Sequence, residues 1–408
     1  VMSLALSKTL TSHFEQLVIG PPLYERHGKL DTMAVYALFP SKLSPDPPEI
    51  LTLTEALQRG MELQDTGVIS RVHVENPLPT AVLAGESELL MGQTQQRSVQ
   101  FSCLLPSEKK SSLPVNCVEE GQPTVPQASF TGADACPWPV RTFKIEQLAQ
   151  SGEPQQYWVW EQVKTYLTEA GSNTPTRDIR AALDKHSYQL QTLSDAFPHQ
   201  AGQVGAICSV GSNLYMELFS DPELFEDRYD QILRSAMVEA FVRPSDDVVP
   251  PEAIGAFLNQ IAHVSQHSRI MNSRSLKDTS RSMAFSRGGV NGQVLISQNR
   301  LIHLSAHQKC PGKSRPLADL RSSFDEARRA WSQQPPPFMD DVEKTYARRR
   351  QRYSAFKSSL RNYPKQPSQP SAPDLEPSRD TAGNAAGPQP LSPALRDFFV
   401  ALFTKDRA

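Results

Sequence analysis

The residues Ser98-Val99-Gln100-Phe101-Ser102-Cys103-Leu104-Leu105 alternate with period two, placing Val99, Phe101, Cys103 and Leu105 on one side and Ser98, Gln100 and Ser102 on the other. That pattern predicts a β-strand. Pro106-Ser107 turns the chain, and Leu113, Val115 and Cys117 alternate again, with Pro114 marking an edge or a strand start. Two antiparallel neighbours are expected. Just before the first strand stand Glu88, Gly92, Gln95 and Arg97, and at the end of the second stand Cys117 and Glu119. Polar groups gathered at strand ends in this way predict a site.

The chemistry follows from the residue types. Arg97 has the fork to hold a phosphate or carboxylate, Gln95 the amide to read another amide or a ribose hydroxyl, and Glu88 or Glu119 the carboxylate of a general base. Cys117 reads in two ways. It is a nucleophile where Arg97 or a histidine stabilises its thiolate, or a small buried residue continuing the Leu113/Val115 face. Glu88 and Arg97 likewise read either as site groups or as an ion pair pinning a turn to the sheet.

Outward from this stretch, Thr52-Leu53-Thr54-Glu55 has the form of a capping box opening a short helix that Gly60 stops. Val68 to Glu75 predicts a strand ended by Asn76-Pro77. The Pro-rich run from Gly121 to Pro139 reads as irregular. Val159, Val163, Tyr166 and Leu167 predict one helix, and Ile179, Leu183, Leu190, Leu193 and Phe197 a second. A hairpin is expected from Val204 to Phe219, with Ala206, Cys208 and Val210 alternating. Ser220-Asp221-Pro222-Glu223 opens a long helix whose stripe runs from Phe225 to Ala240. Another helix is expected over Ile254 to Val264, then a hairpin from Met283 to Leu304. Strands and helices come in runs, so the fold class is α+β with antiparallel sheets packed with helices. The body is 1–310, with room for two lobes, about 1–140 β-rich and 141–310 mixed.

The chain has 408 residues, 38% of them hydrophobic, enough to bury one large core or two modest ones. Residues 1–310 carry 25 Lys+Arg against 33 Asp+Glu, a net of −8, and residues 311–408 carry 17 against 11, a net of +6. A body of that sign argues against nucleic acid as its partner. No apolar run is long enough for a membrane helix, and Lys8, His13 and Glu15 interrupt any signal-peptide core, so a cytoplasmic location is expected. Five scattered cysteines predict reduced thiols. Val1 before Met2 has the look of a literally translated alternative start codon, which points to a bacterial or phage gene.

Beyond the body, residues 311–363 predict a basic amphipathic helical extension, with Val342, Tyr346, Tyr353, Phe356 and Leu360 beside Arg348, Arg349, Arg350 and Arg352. Residues 364–392 read as a disordered Pro-rich linker, and 393–408 as a short amphipathic helix with Leu395, Phe398, Phe399 and Leu402, suited to docking on a protein partner. His263 and His267 have zinc-helix spacing without the glutamate that such chemistry requires, and His303, His307 and Cys310 lack a fourth ligand, so no metal site is assigned. No motif specifies a cofactor.

Four segments carry a resemblance: Leu51 to Leu57, Glu88 to Arg97, Pro114 to Gly121, and Val204 to Ala240, with Arg300 to Ser305 as a closing strand. In this order they resemble the domain family named for its association with ADP-ribosylglycohydrolases and rhodanese-like phosphatases, over roughly residues 14–308. The resemblance implies an acidic residue, a glycine, a Lys-Gln pair and an arginine, which fall on Glu88, Gly92, Thr94-Gln95 and Arg97. Thr94 departs from the lysine, and Gln122 and Pro123 depart from an Arg-Trp pair. It implies a setting in which ADP-ribose and NAD-derived nucleotides are handled, so a nucleotide-type small molecule is the expected ligand. Whether the chain is an enzyme on that ligand or a non-catalytic module recruiting a partner stays open at the level of sequence.

Overall fold

The computed structural model describes residues 2–25, 33–271, 280–310 and 312–360. The chain divides into one unit over Val1–Lys365 and another over Gln366–Ala408. The expected linker 364–392 and terminal helix 393–408 lie outside the described residues.

The largest sheet has the order β1 (Leu17–Ile19), β2 (Met33–Pro40), β12 (Gly205–Val210), β13 (Asn213–Phe219), β18 (Arg300–Lys309), β17 (Val290–Ser297), β16 (Arg281–Arg287) and β15 (Arg269–Met271), antiparallel throughout. Its strands alternate between two cores. Met33, Val35, Ala206, Cys208, Val210, Tyr215 and Phe219 face one. Ala34, Tyr36, Leu38, Ile207, Leu214, Met216 and Leu218 face the other. On the first side lie α3 (Trp138–Ser151), α4 (Gln156–Glu169), α5 (Arg180–Lys185), α6 (Ser187–Leu193), α7 (Pro222–Glu226) and α8 (Tyr229–Val242). On the second lie α1 (Met2–Phe14), α9 (Glu252–Val264) and α10 (Leu317–Gln333). Helices on both faces explain why these antiparallel strands carry apolar residues on both sides instead of one.

A second sheet has the order β11 (Phe130–Ala135), β7 (Glu88–Gly92), β8 (Arg97–Val99), β10 (Lys109–Cys117), β5 (Arg71–Asn76) and β4 (Glu62–Asp65). It curls until its edges meet. Gln64 bridges Ser129, and the Asp65 amide donates to the Ala128 carbonyl at 2.9 Å, so β4 closes onto the approach to β11. Gly92 permits this closure, because a Cβ there would stand 2.5 Å from the Ser129 carbonyl oxygen. Leu63, Val72, Val74, Leu90, Val99, Leu113, Val115 and Phe130 belong to the core that this curled sheet shares with its neighbours. A three-stranded sheet, β3 (Ile50–Thr52), β6 (Ala81–Ala84) and β9 (Cys103–Leu105), contains the parallel pair β3–β6. Beside it α2 (Leu53–Gln58) begins where the capping box predicts, with Thr52 Oγ1 accepting from the Glu55 amide at 3.4 Å. A two-stranded sheet joins β14 (Asp247–Val248) to β19 (Arg315–Pro316), and α11 (Phe338–Ser359) closes the described chain. The architecture is α+β with antiparallel sheets and helices, and no described helix is long and apolar enough to cross a membrane.

Several local expectations are corrected. The alternating run 98–105 is not one strand: its start lies in β8, which joins the curled sheet, and its end is β9, which joins the three-stranded one. The reason is that its polar side is buried as well, so Ser98 and Ser102 find partners in other elements, Lys144 for the first and Gln293 and His303 for the second, instead of solvent. The Ser102 amide, for instance, donates to Gln293 Oε1 at 3.0 Å. The run 121–139, read as irregular, contains β11. The helix expected over 179–197 is divided at His186, whose ring stacks on Phe241 at 5.0 Å. The long helix after Asp221 is divided into α7 and α8 around Arg228, which turns inward to Glu88.

Candidate functional site

Four of the five residues expected to form the site come together at one end of the curled sheet. Cys117 pairs in register with Arg97 across β10 and β8. Arg97 Nη1 donates to both the main-chain and the side-chain oxygen of Gln95, each at 2.9 Å, and Nη2 lies 3.6 Å from Asp65 Oδ2. Gln95 Nε2 donates to the Glu119 carbonyl at 2.7 Å, and the Glu119 carboxylate accepts the Gln96 amide at 3.1 Å. Cys117 Sγ donates to the Glu119 carbonyl at 2.9 Å. Thr94, where the resemblance expects lysine, donates to Asp65 Oδ2 at 2.5 Å and accepts from the Val125 amide at 2.9 Å.

All four residues are buried, and hydrogen bonds link Arg97 to Gln95, Gln95 to Glu119 and Cys117 to Glu119, while Arg97 Nε and Nη2 make none among the described residues. Burial pushes the Cys117 thiol up from its ordinary value, and the Glu119 backbone and then the nearby Arg97 charge recover only part of the shift. A thiol so held is protonated at neutral pH and a poor nucleophile. The cluster therefore fastens the loop between β7 and β8 to the end of β10.

Glu88 is placed elsewhere. Its carboxylate meets Arg228 Nη1 at 3.0 Å and accepts the Gly85 amide at 2.9 Å. Burial raises its pKa, with Arg228 the largest opposing influence. It borders a second buried network that sequence reasoning missed. Arg141 of α3 donates through Nε to Glu86 at 2.8 Å, pairs through Nη2 with Glu86 and Glu217, and stacks over Trp138 at 3.6 Å. Burial alone would raise Glu217, but Arg141 and His303 overcome it and hold the carboxyl below its ordinary range. Ser102 Oγ accepts from the Glu86 amide at 3.0 Å and from Gln293 Nε2 at 2.6 Å. Both lone pairs are then filled, which assigns its proton to His303 Nδ1 at 2.7 Å and leaves His303 Nε2–H to donate to Glu217 at 2.7 Å. The order hydroxyl, imidazole, carboxylate is that of a hydrolytic triad. Here Ser102 is fully buried and has no lone pair left for a substrate, so the chain of bonds fastens β9 to the large sheet.

Next to the first cluster an open cleft of about 770 Å³ lies between the loop joining β4 to β5 and the turn joining α3 to α4. Asn116 and Gln156 line it. Gln156 holds the Cys117 peptide by both ends of its amide, accepting the Cys117 N–H at 2.9 Å and donating to the Cys117 carbonyl at 2.8 Å. One wall of the cleft is thus tied directly to the cluster. No local sequence signal marks Gln156, which opens an ordinary helix.

No curated protein and no solved structure shows a significant match to the chain. The profile of the ARG and Rhodanese-Phosphatase-superfamily-associated Protein domain matches residues 23–307, a span holding the whole curled sheet and nearly all of the large one, and the chain belongs to that family.

Proposed function

We propose that this domain binds a nucleotide-type small molecule of the ADP-ribose class in the cleft beside Asn116 and Gln156, with Gln95, Arg97, Cys117 and Glu119 buried behind its wall as support and taking no chemical part. Glu88 serves the fold on this reading, as the partner of Arg228. The observation that supports it is the two-ended grip of Gln156 on the Cys117 peptide, which makes the cleft and the four-residue cluster one rigid unit. Preorganised walls of this kind favour binding because little freedom is lost when the ligand arrives. The ligand class is supported by the family's association with proteins that handle ADP-ribose.

The test is a thermal-shift titration of the full chain with ADP-ribose, NAD and common nucleotides. A ligand at 100 times its Kd stabilises the native state by about 2.7 kcal/mol, enough to read as a shift of a few degrees. The expected outcome is a rise with ADP-ribose or NAD that Gln156→Ala reduces. Absence of any shift at millimolar concentrations removes the reading.

A further inference from the structure

We infer that the cleft reads the nucleoside end of its ligand, base and ribose, and leaves the phosphates in solvent. This rests on the nucleotide-binding reading above and says which half of the molecule the protein recognises. The first observation is Asn116. It lines the cleft, is 3% exposed, and its Oδ1 has no hydrogen-bond partner. A buried amide with an unmet group is costly to the free protein, and a ligand that supplies a complementary amide or hydroxyl relieves it.

Charge gives the second argument. None of the residues lining the cleft is cationic, and the charged one among them, Glu153, is acidic. Phosphates are held by Arg, Lys or converging amides. Arg97, the cation expected to do so, is buried and turned towards Gln95 and Asp65. A pyrophosphate entering here would meet a carboxylate and no counter-charge.

The third argument is apolar surface. Val68, 52% exposed, lines the cleft. Trp158, 52% exposed, lies two residues on from the lining residue Gln156 in the first turn of α4, and its amide donates to the carbonyl of Gln155, another lining residue, at 3.0 Å. Tyr157, 60% exposed, meets Trp158 edge to face with ring centroids 5.0 Å apart. Exposed aromatic rings on the helix that begins at the cleft wall are platforms on which a planar base stacks.

The experiment is calorimetric titration of the full chain with adenosine, nicotinamide riboside, ADP-ribose and inorganic pyrophosphate, repeated for Trp158→Ala and Asn116→Ala. One of the two nucleosides is expected to bind within about tenfold of ADP-ribose, and pyrophosphate neither to bind nor to compete. Trp158→Ala, a change at an exposed position, is expected to weaken both nucleoside and ADP-ribose by about tenfold or more. Added salt is expected to change ADP-ribose affinity little. ADP-ribose binding without nucleoside binding, competition by pyrophosphate, or a Trp158→Ala variant of unchanged affinity overturns the inference while leaving nucleotide binding intact. If none of the four compounds nor NAD binds, both readings fall.

Discussion

Glu239 of α8 shows what burial does to a single carboxyl. It lies in the helix–sheet core with Arg243 Nη1 at 3.0 Å and Tyr215 Oη at 3.5 Å, and burial pushes it up to about 7. In the unfolded chain such a group titrates near its ordinary value of 4.5, so between the two values the folded state holds a proton that the unfolded state has lost. Stability from this group therefore falls as pH rises from 4.5 to 7 and stays low above. Glu239→Gln removes that dependence. The Tm difference between Glu239→Gln and the parent is expected to move in favour of the variant as pH rises from about 5 to about 8. A difference flat across that range in a melting series would show that the carboxyl is not perturbed. Cys117 follows the same logic, and its alternation with Leu113 and Val115 was already readable in the sequence as a buried position. The polarity of Glu88, Arg97 and Glu119 was equally legible. Their partners were not, because a carboxylate accepting a backbone amide and one facing solvent look alike in one dimension.

At the scale of elements, α11 turns on the fate of its arginines. Read as a sequence, Arg348 to Arg352 form a basic face suited to solvent, nucleic acid or an acidic partner. The folded chain supplies much of the counter-charge itself. Arg349 is buried and binds Glu223 through Nε at 2.9 Å and through Nη2 at 2.8 Å, Asp221 at 2.5 Å, and the Ser44 carbonyl at 2.9 Å. Arg350 reaches Glu226 at 3.0 Å and Arg352 reaches Asp46 at 3.4 Å. Tyr346 donates to Glu226 at 2.6 Å, and Tyr353 to the Ile50 carbonyl at 2.9 Å. The helix thereby spans from α7 to the start of β3. Asp221, placed by its sequence as the cap of α7, makes no cap bond with its side chain, because Arg349 and the Ser220 hydroxyl occupy its carboxylate. Arg349→Ala strands two buried carboxylates and is expected to cost about 3–5 kcal/mol. Urea unfolding measures it, and a loss under about 1 kcal/mol, the range of surface pairs, would show that the clamp is dispensable.

Within the Val1–Lys365 unit, Ser102 ties β9 to the large sheet. Its amide, carbonyl and hydroxyl are all bonded to the large sheet, through Gln293, Ser282 and His303. Ser102→Ala leaves the Glu86 amide, Gln293 Nε2 and the His303 ring each short of a partner, and each such buried orphan costs about 1–3 kcal/mol. A loss on the order of 3 kcal/mol in urea unfolding is expected, and a variant as stable as the parent would remove Ser102 from that role. The network also bears on acid stability. Because Glu217 is held below its ordinary value, its contribution is present above that value and is lost as pH falls through the lower, folded one. Ser102 lies 201 residues from His303, and Glu217 lies 86 from it, so no period or motif could have joined them.

By itself the sequence determined those features that a few neighbouring residues decide: the cap at Thr52, the hairpin from β12 to β13, the stripe of α8 and the α+β class. Backbone hydrogen bonding and the periods of helix and strand act over a handful of positions, so their signals are local. Tertiary structure alone decided that the 98–105 run serves two sheets, that Glu88 parts from Arg97, and that Arg349 is spent within the chain. A buried charge or hydroxyl settles on whichever partner offsets its lost hydration, and that partner is set by distance in space.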